Sequence, residues 1–336
     1  MSTPVAVVGA GSWGTALASV LARNGHDVVL WALEPDVARE INESRVNGTY
    51  LPGIVLPEGL RATTDLADTV GPARVVVSVV PSQFAGSVIE QAVTALRSDA
   101  ILVSASKGIE LSTLRRMDQV MEEILTPAQA HRFSVLSGPS FAAEVARQAP
   151  TAVVAASAEH EAAERVQALF QNPTFRVYTN PDVVGVELGG ALKNVIALAA
   201  GVAAGLGFGH NTLAALITRG LAEITRLGVA MGARRETFSG LAGMGDLVLT
   251  CTGDLSRNRT VGVRLGQGEA LEDILGEMRS VAEGVKTAEA VVALADRHGV
   301  EMPIATEVHA MLTAGRRPRE ALENLMSRDP KPEEWS

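Results

Sequence analysis

The stretch Val5-Ala6-Val7-Val8-Gly9-Ala10-Gly11-Ser12-Trp13-Gly14 decides the fold. An apolar run enters a G-x-G-x-x-G series, and Thr15 to Arg23 then reads as an amphipathic helix stopped at Asn24-Gly25. Glycine triplets are common, so the strand before and the helix after carry the reading. Gly9 permits a tight turn, Gly11 lets a diphosphate approach the main chain, and Gly14 lets helix and strand pack closely. The helix start adds unpaired N–H groups and the positive end of the dipole. The series therefore predicts a dinucleotide loop, with a plain glycine turn as the alternative.

Outward from this loop, β-branched runs alternate with helix-like segments. The runs are Val5 to Val8, Val28 to Trp31, Val75 to Val80, Ile101 to Ser104, Phe133 to Leu136, Thr151 to Ala155 and Phe175 to Tyr178. Near-continuous apolar strands separated by helices predict a mostly parallel α/β sheet covered on both faces, with ligands beyond the carboxyl ends of the strands. After Pro181 the pattern becomes helical throughout, from Val183 to Ala204, Leu213 to Met231, Leu271 to Glu277, Thr287 to His298 and Ile304 to Ala314. We expect a Rossmann-type domain over 1–182 and an all-α domain over 183–336, meeting at a crevice. The polar end, Arg328 to Ser336, reads as a frayed tail.

The 336 residues exceed the usual size of one core, and 47% hydrophobic with 20% charged residues is a globular composition. A net charge of -9 argues against nucleic acid as partner. Cys251 is the sole cysteine, so no intrachain disulfide can form, and it reads as a small buried hydrophobe. Leu188 to Phe208 has the length of a membrane span, but it is largely Gly and Ala and reads as a closely packed core helix. No signal-like segment precedes the glycine loop, which makes the cytoplasm the expected compartment. No metal-ligand spacing is present, and no G-x-S-x-G elbow.

Lys193 is the one ammonium in the apolar stretch Leu188 to Ala197. Burial disfavours its charged form and would suit a proton donor to a carbonyl, whereas an ion-paired or snorkelling lysine fits the spacing equally. Gly243-Met244-Gly245-Asp246 places a carboxylate in a glycine-rich turn. Leu255-Ser256-Arg257-Asn258-Arg259 brings together a hydroxyl, an amide and two guanidiniums, which suits a phosphate or a solvated basic turn. Ser106-Lys107-Gly108 and Ser137-Gly138-Pro139-Ser140 lie at strand ends, on the ligand side. His210 reads as a polar helix-start residue more readily than as an acid catalyst.

These residues resemble the bacterial NAD(P)-dependent glycerol-3-phosphate dehydrogenases along nearly the whole chain. The stretches that carry the resemblance are Gly9 to Ala16, Tyr50-Leu51-Pro52, Lys107-Gly108, Ser137 to Val145, Glu187 to Gly201, Ala215 to Ala222, Phe238 to Thr252, Leu255 to Arg259 and Val281 to Ala288. The resemblance implies reversible reduction of dihydroxyacetone phosphate to sn-glycerol 3-phosphate for phospholipid synthesis, with NAD(P)H as cofactor. It implies Lys193 as proton donor and acceptor. Lys107, Gly138, Ser140, Asp246, Ser256, Arg257 and Asn258 match the family's substrate contacts. Ser12, Trp13, Tyr50, Lys107, Ala142, Arg257, Val281 and Glu283 match its cofactor contacts, beside the loop glycines. It also implies a homodimer.

Two positions depart from the family. Many relatives carry a basic residue near the second strand tip, where this chain has Leu33-Glu34. Glu34 sits near the usual distance for an acid that bonds the ribose 2′-hydroxyl, and reads equally as a surface residue opening the next loop, so NAD and NADP both stay open. Arg39 and Arg45 are the candidate cations for a 2′-phosphate. The second departure is His210, which replaces an acidic residue usual in the family.

Overall fold

The structure is a computed structural model describing residues 2–278 and 282–333. Contacts divide the chain into two compact units, Met1–Lys107 with Arg115–Val186, and Gly108–Leu114 with Glu187–Ser336.

The first unit runs β1 (Pro4–Val8), α1 (Ser12–Arg23), β2 (Asp27–Trp31), α2 (Pro35–Ser44), β3 (Leu60–Thr63), α3 (Leu66–Val70), β4 (Val75–Ser78), α4 (Ser82–Ala92) and β5 (Ile101–Ser104). It continues through α5 (Met117–Ile124), α6 (Pro127–His131), β6 (Ser134–Ser137), α7 (Ala142–Ala146), β7 (Thr151–Ser157), α8 (His160–Phe170) and β8 (Phe175–Asn180). The strands form one sheet in the order β3-β2-β1-β4-β5-β6-β7-β8. All neighbours are parallel except β6 and β7, so the sheet is mostly parallel, as expected.

The apolar runs explain the architecture. Val5, Ala6, Val7 and Val8 of β1 and Val75, Val76 and Val77 of β4 are all buried, which requires cover on both faces of the sheet. Leu17 and Leu21 of α1, Ile41 of α2, and Phe170 and Phe175 fill one such layer. From β1 the chain goes out to β2 and β3, then returns to place β4 on the other side of β1. The order thus reverses at β1 and β4, the position at which sheets of this kind take a ligand beyond the carboxyl ends of the strands.

Strand β3 was absent from the sequence reading. Leu60-Arg61-Ala62-Thr63 is short, lies at the edge and alternates buried with exposed residues, so no continuous apolar run announces it.

Apart from Gly108–Leu114, the regular elements of the second unit among the described residues are helical: α9 (Val183–Gly205, begun in the first unit), α10 (His210–Ala230), α11 (Arg235–Phe238), a π-helical turn (Leu241–Gly245), α12 (Asp246–Thr252), α13 (Arg257–Gly266), α14 (Leu271–Glu277), α15 (Glu283–His298), α16 (Pro303–Thr313) and α17 (Pro318–Met326). Helix α9 is long and apolar enough to cross a membrane, but 89% of that window is buried within the protein.

Small residues in α9 let other helices touch its backbone. A Cβ on Gly201 would lie 2.1 Å from Arg259 O, and one on Gly262 would lie 2.2 Å from Leu198 O. Gly205 and Gly266 repeat the contact one turn further along. Helices α9 and α13 thus pack main chain to main chain. Likewise, a Cβ on Gly189 would lie 2.4 Å from Ala242 O, which seats the π-helical turn against α9.

The end of the chain differs from the frayed tail expected. Glu301 Oε2 takes Arg328 Nη2 at 3.0 Å and Lys331 Nζ at 2.8 Å, and Arg219 Nη1 donates to Glu333 O at 3.3 Å, so the segment is tethered as far as Glu333.

Candidate active site

In the first unit the glycine loop leaves β1 and enters α1. Gly9 has φ +113°, and a Cβ there would lie 3.1 Å from the main chain of Val79 on the neighbouring connection. A Cβ on Gly14 would lie 1.8 Å from Gly9 O, so any larger residue would push α1 off the loop. Gly11 faces open space, with nothing within 4 Å of a Cβ position, and as N-cap of α1 it supplies no side-chain partner to the first-turn N–H groups. The buried indole Nε1 of Trp13 has no partner among the described residues. Uncapped amides, an open glycine and an orphaned donor fit a dinucleotide diphosphate.

Asn47, fully buried and unremarked in the sequence, ties this loop down. Its Nδ2 donates to Ala10 O and Thr15 Oγ1, both at 2.8 Å, and its Oδ1 accepts from Tyr50 N at 3.1 Å. Tyr50 in turn donates its hydroxyl to Glu34 Oε1 at 2.9 Å. That bond to a carboxylate holds the Tyr50 phenol above its usual pKa, with partial burial adding to the shift.

Lys107 and Gly138 follow the parallel neighbours β5 and β6. Lys107 Nζ donates to Gly138 O at 3.2 Å, and Ser140 Oγ donates to the same oxygen at 3.0 Å. Gly138 has φ +145°, and a Cβ there would lie 2.9 Å from Val153 Cα, so the turn needs glycine. Ala142 opens α7 and packs on the core of this unit.

In the second unit Lys193 lies mid-way along α9 with 6% of its surface exposed. Its Nζ donates to Asp246 Oδ1 at 2.5 Å and to Thr250 Oγ1 at 2.8 Å. Of the two readings left open for Lys193, the ion-paired one describes the geometry, and a paired ammonium remains a proton donor. Asp246 is not in a loose turn as expected: the π-helical turn runs directly into α12, whose first residue it is, and Asp246 is 1% exposed. Such turns redirect side chains and often mark functional sites. Thr250 was not singled out in the sequence. Its only signal is a position four residues past Asp246, on the same helical face.

Of the two readings left open for Ser256 to Asn258, the solvated basic turn does not describe the segment. Ser256 is the N-cap of α13, accepting from Arg259 N at 3.3 Å, and Arg257 and Asn258 open the helix. Arg257 is exposed, whereas Arg259 pairs with Asp254 at 3.0 Å. The buried Asn258 accepts from Gly284 N at 2.9 Å through Oδ1, with its amide nitrogen still able to donate. An exposed arginine in the first turn of a helix is an arrangement that can bind a phosphate.

Glu283 opens α15 beside Gly284, and Val281 lies outside the described residues. His210 is exposed at the first position of α10. Cys251 is buried, and burial pushes its thiol up to about 12, so it behaves as the hydrophobe expected.

Residues 4–163 match the family model for the NAD-dependent glycerol-3-phosphate dehydrogenase N-terminus, and residues 182–323 match that for the C-terminus. The glycerol-3-phosphate dehydrogenase [NAD(P)+] of Geobacter metallireducens is 61% identical over 333 residues, covering 99% of both chains. That of Geobacter sulfurreducens is 60% identical over the whole of both. The crystal structure of glycerol-3-phosphate dehydrogenase from Coxiella burnetii superposes with a TM-score of 0.92 at 40% identity, covering 97% of this chain and 99% of the other.

Proposed function

The chain belongs to the NAD-dependent glycerol-3-phosphate dehydrogenase family, and from that premise we propose that it interconverts dihydroxyacetone phosphate and sn-glycerol 3-phosphate through Lys193 as the proton-transferring group. The observation that carries the role of Lys193 is its buried ammonium, bonded to Asp246 and Thr250. A positioned ammonium protonates a carbonyl oxygen as it becomes an alkoxide, and takes the proton back in the reverse direction.

A nicotinamide bound there would supply the hydride chemistry of the reaction in either direction. The chain's own groups do the rest. The uncapped start of α1 and the Gly9 to Gly14 loop, with Ser12 and Trp13, hold the diphosphate. Arg257, with Ser256 and Asn258 at the start of α13, holds the substrate phosphate, while Lys107, Gly138 and Ser140 offer a cation and hydroxyl at the ends of β5 and β6. Tyr50, Lys107, Ala142, Arg257, Val281 and Glu283 complete the cofactor contacts. Asp246 keeps the lysine aimed, and binding of the two substrates next to one another provides the rate gain of proximity.

The enzyme works in the cytoplasm as a homodimer and feeds phospholipid synthesis. The decisive experiment follows reduced-cofactor absorbance on adding dihydroxyacetone phosphate. Substrate-dependent loss is expected, and it should fall sharply when the phosphate is removed from the substrate. Cofactor binding without turnover would overturn the reading, and sedimentation of the purified protein as a monomer would overturn the dimer.

A further inference from the structure

Glu34 stands three residues beyond the end of β2, at the N-cap of α2, yet its side chain makes no capping bond. The carboxylate turns instead to Tyr50, whose hydroxyl takes Oε1 at 2.9 Å. Through Asn47, the same segment is bonded to Ala10 of the glycine loop, so the carboxylate is fixed in register with the phosphate-binding turn. Oε2 has no partner among the described residues.

We propose that Glu34, positioned by Tyr50, accepts the adenosine ribose hydroxyls and makes this chain select NADH over NADPH. Resting on the dehydrogenase reading, this assigns the selectivity of its cofactor site. A carboxylate accepts two vicinal hydroxyl protons and repels a 2′-phosphate in the same place. Arg39 and Arg45, the candidate cations for a 2′-phosphate, each face a carboxylate of their own. Arg39 Nη2 pairs with Asp36 at 2.7 Å and Arg45 Nη1 with Glu58 at 2.9 Å, while Leu33 beside Glu34 is apolar and 71% exposed. Glu34 is thus no idle surface residue, and Tyr50 acts as its positioning partner.

The test is direct binding of NADH and NADPH to the purified full chain without substrate, read by energy transfer from tryptophan to the nicotinamide. The wild type should bind NADH roughly tenfold or more tightly than NADPH, the size expected for a hydrogen bond to a charged group. Glu34→Gln should shrink this ratio several-fold and Glu34→Arg should invert it. Tyr50→Phe should lower the ratio by weakening NADH alone, whereas a merely structural role for Tyr50 would weaken both cofactors together. Equal affinities in the wild type, tighter NADPH, or a ratio unmoved by Glu34→Gln would overturn the proposal while leaving the dehydrogenase reading intact. Binding of neither cofactor would overturn both.

Discussion

Thr250 Oγ1 accepts from Lys193 Nζ at 2.8 Å while donating its own proton to Asp246 O at 2.6 Å. The hydroxyl proton is committed to the carbonyl, so the lysine must be the donor in the first contact. The polarity of the cluster is thereby fixed: Asp246 and Thr250 both receive from the Lys193 ammonium.

Lys193→Ala should cut kcat by about 10²–10⁴, the usual worth of a positioned proton donor, with little change in cofactor Kd. Thr250→Val keeps the shape but loses the acceptor. It should lower kcat by roughly tenfold and displace the pH–rate profile with KM nearly constant. Wild-type kcat and pH profile in Thr250→Val would remove its positioning role.

Arg257 lies exposed at the surface, so Arg257→Ala should leave the fold unchanged. Loss of a charged hydrogen bond predicts a rise in KM for dihydroxyacetone phosphate of about 10- to 100-fold. Thermal melting should be unaltered, and an unchanged KM would place the phosphate elsewhere.

Gly262→Ala adds a methyl 2.2 Å from Leu198 O, where main chain meets main chain and no side chain can move aside. We expect destabilisation of about 1–3 kcal/mol or more in denaturant unfolding. Gly268→Ala is no control, since φ there is +96°, whereas Gly276→Ala in α14 adds its methyl to open space and should stabilise by up to about 1 kcal/mol.

Glu223 gives a pH prediction. It is 3% exposed, accepts from Ile304 N at 2.8 Å and Ala305 N at 3.3 Å at the start of α16, and burial raises its carboxyl from 4.5 to about 7. A raised acid pKa means that the folded protein binds the extra proton between those values. Stability therefore falls as pH rises through that window and levels off above it. Glu223→Gln removes this dependence, so the wild type should lose stability relative to the variant between pH 5 and pH 8, by at most on the order of 3 kcal/mol. Parallel denaturation curves at the two pH values would refute the shift.

The strands and helices with strong periodicity were legible in the sequence, and Leu271 to Glu277 coincides with α14. What escaped had a local cause. Strand β3 has only two inward positions, Leu60 and Ala62. The glycines around Met244 suggested a turn, because the sequence does not show that Gly189 of α9 and Gly243 admit backbone at close range and so wind the segment as a π-helix. Asn47 and Thr250 act through partners 37 and 57 residues away, Ala10 and Lys193, which no periodicity reports. Lys193 and Asp246 stood out because a lone charge in an apolar or glycine-rich stretch does not need its partner to be noticed.

The glycine seam between α9 and α13 has a consequence for how this enzyme can change. One helix carries the lysine and the other begins with the residues proposed to hold the phosphate, and at the seam there is no side chain to trim or enlarge. The two helices form a gauge whose setting is the thickness of the polypeptide itself. Substrates of another length cannot be accommodated by gradual substitution at that contact. They would have to be met by remodelling the loops at the helix ends, such as 253–256, where insertions do not disturb the seam.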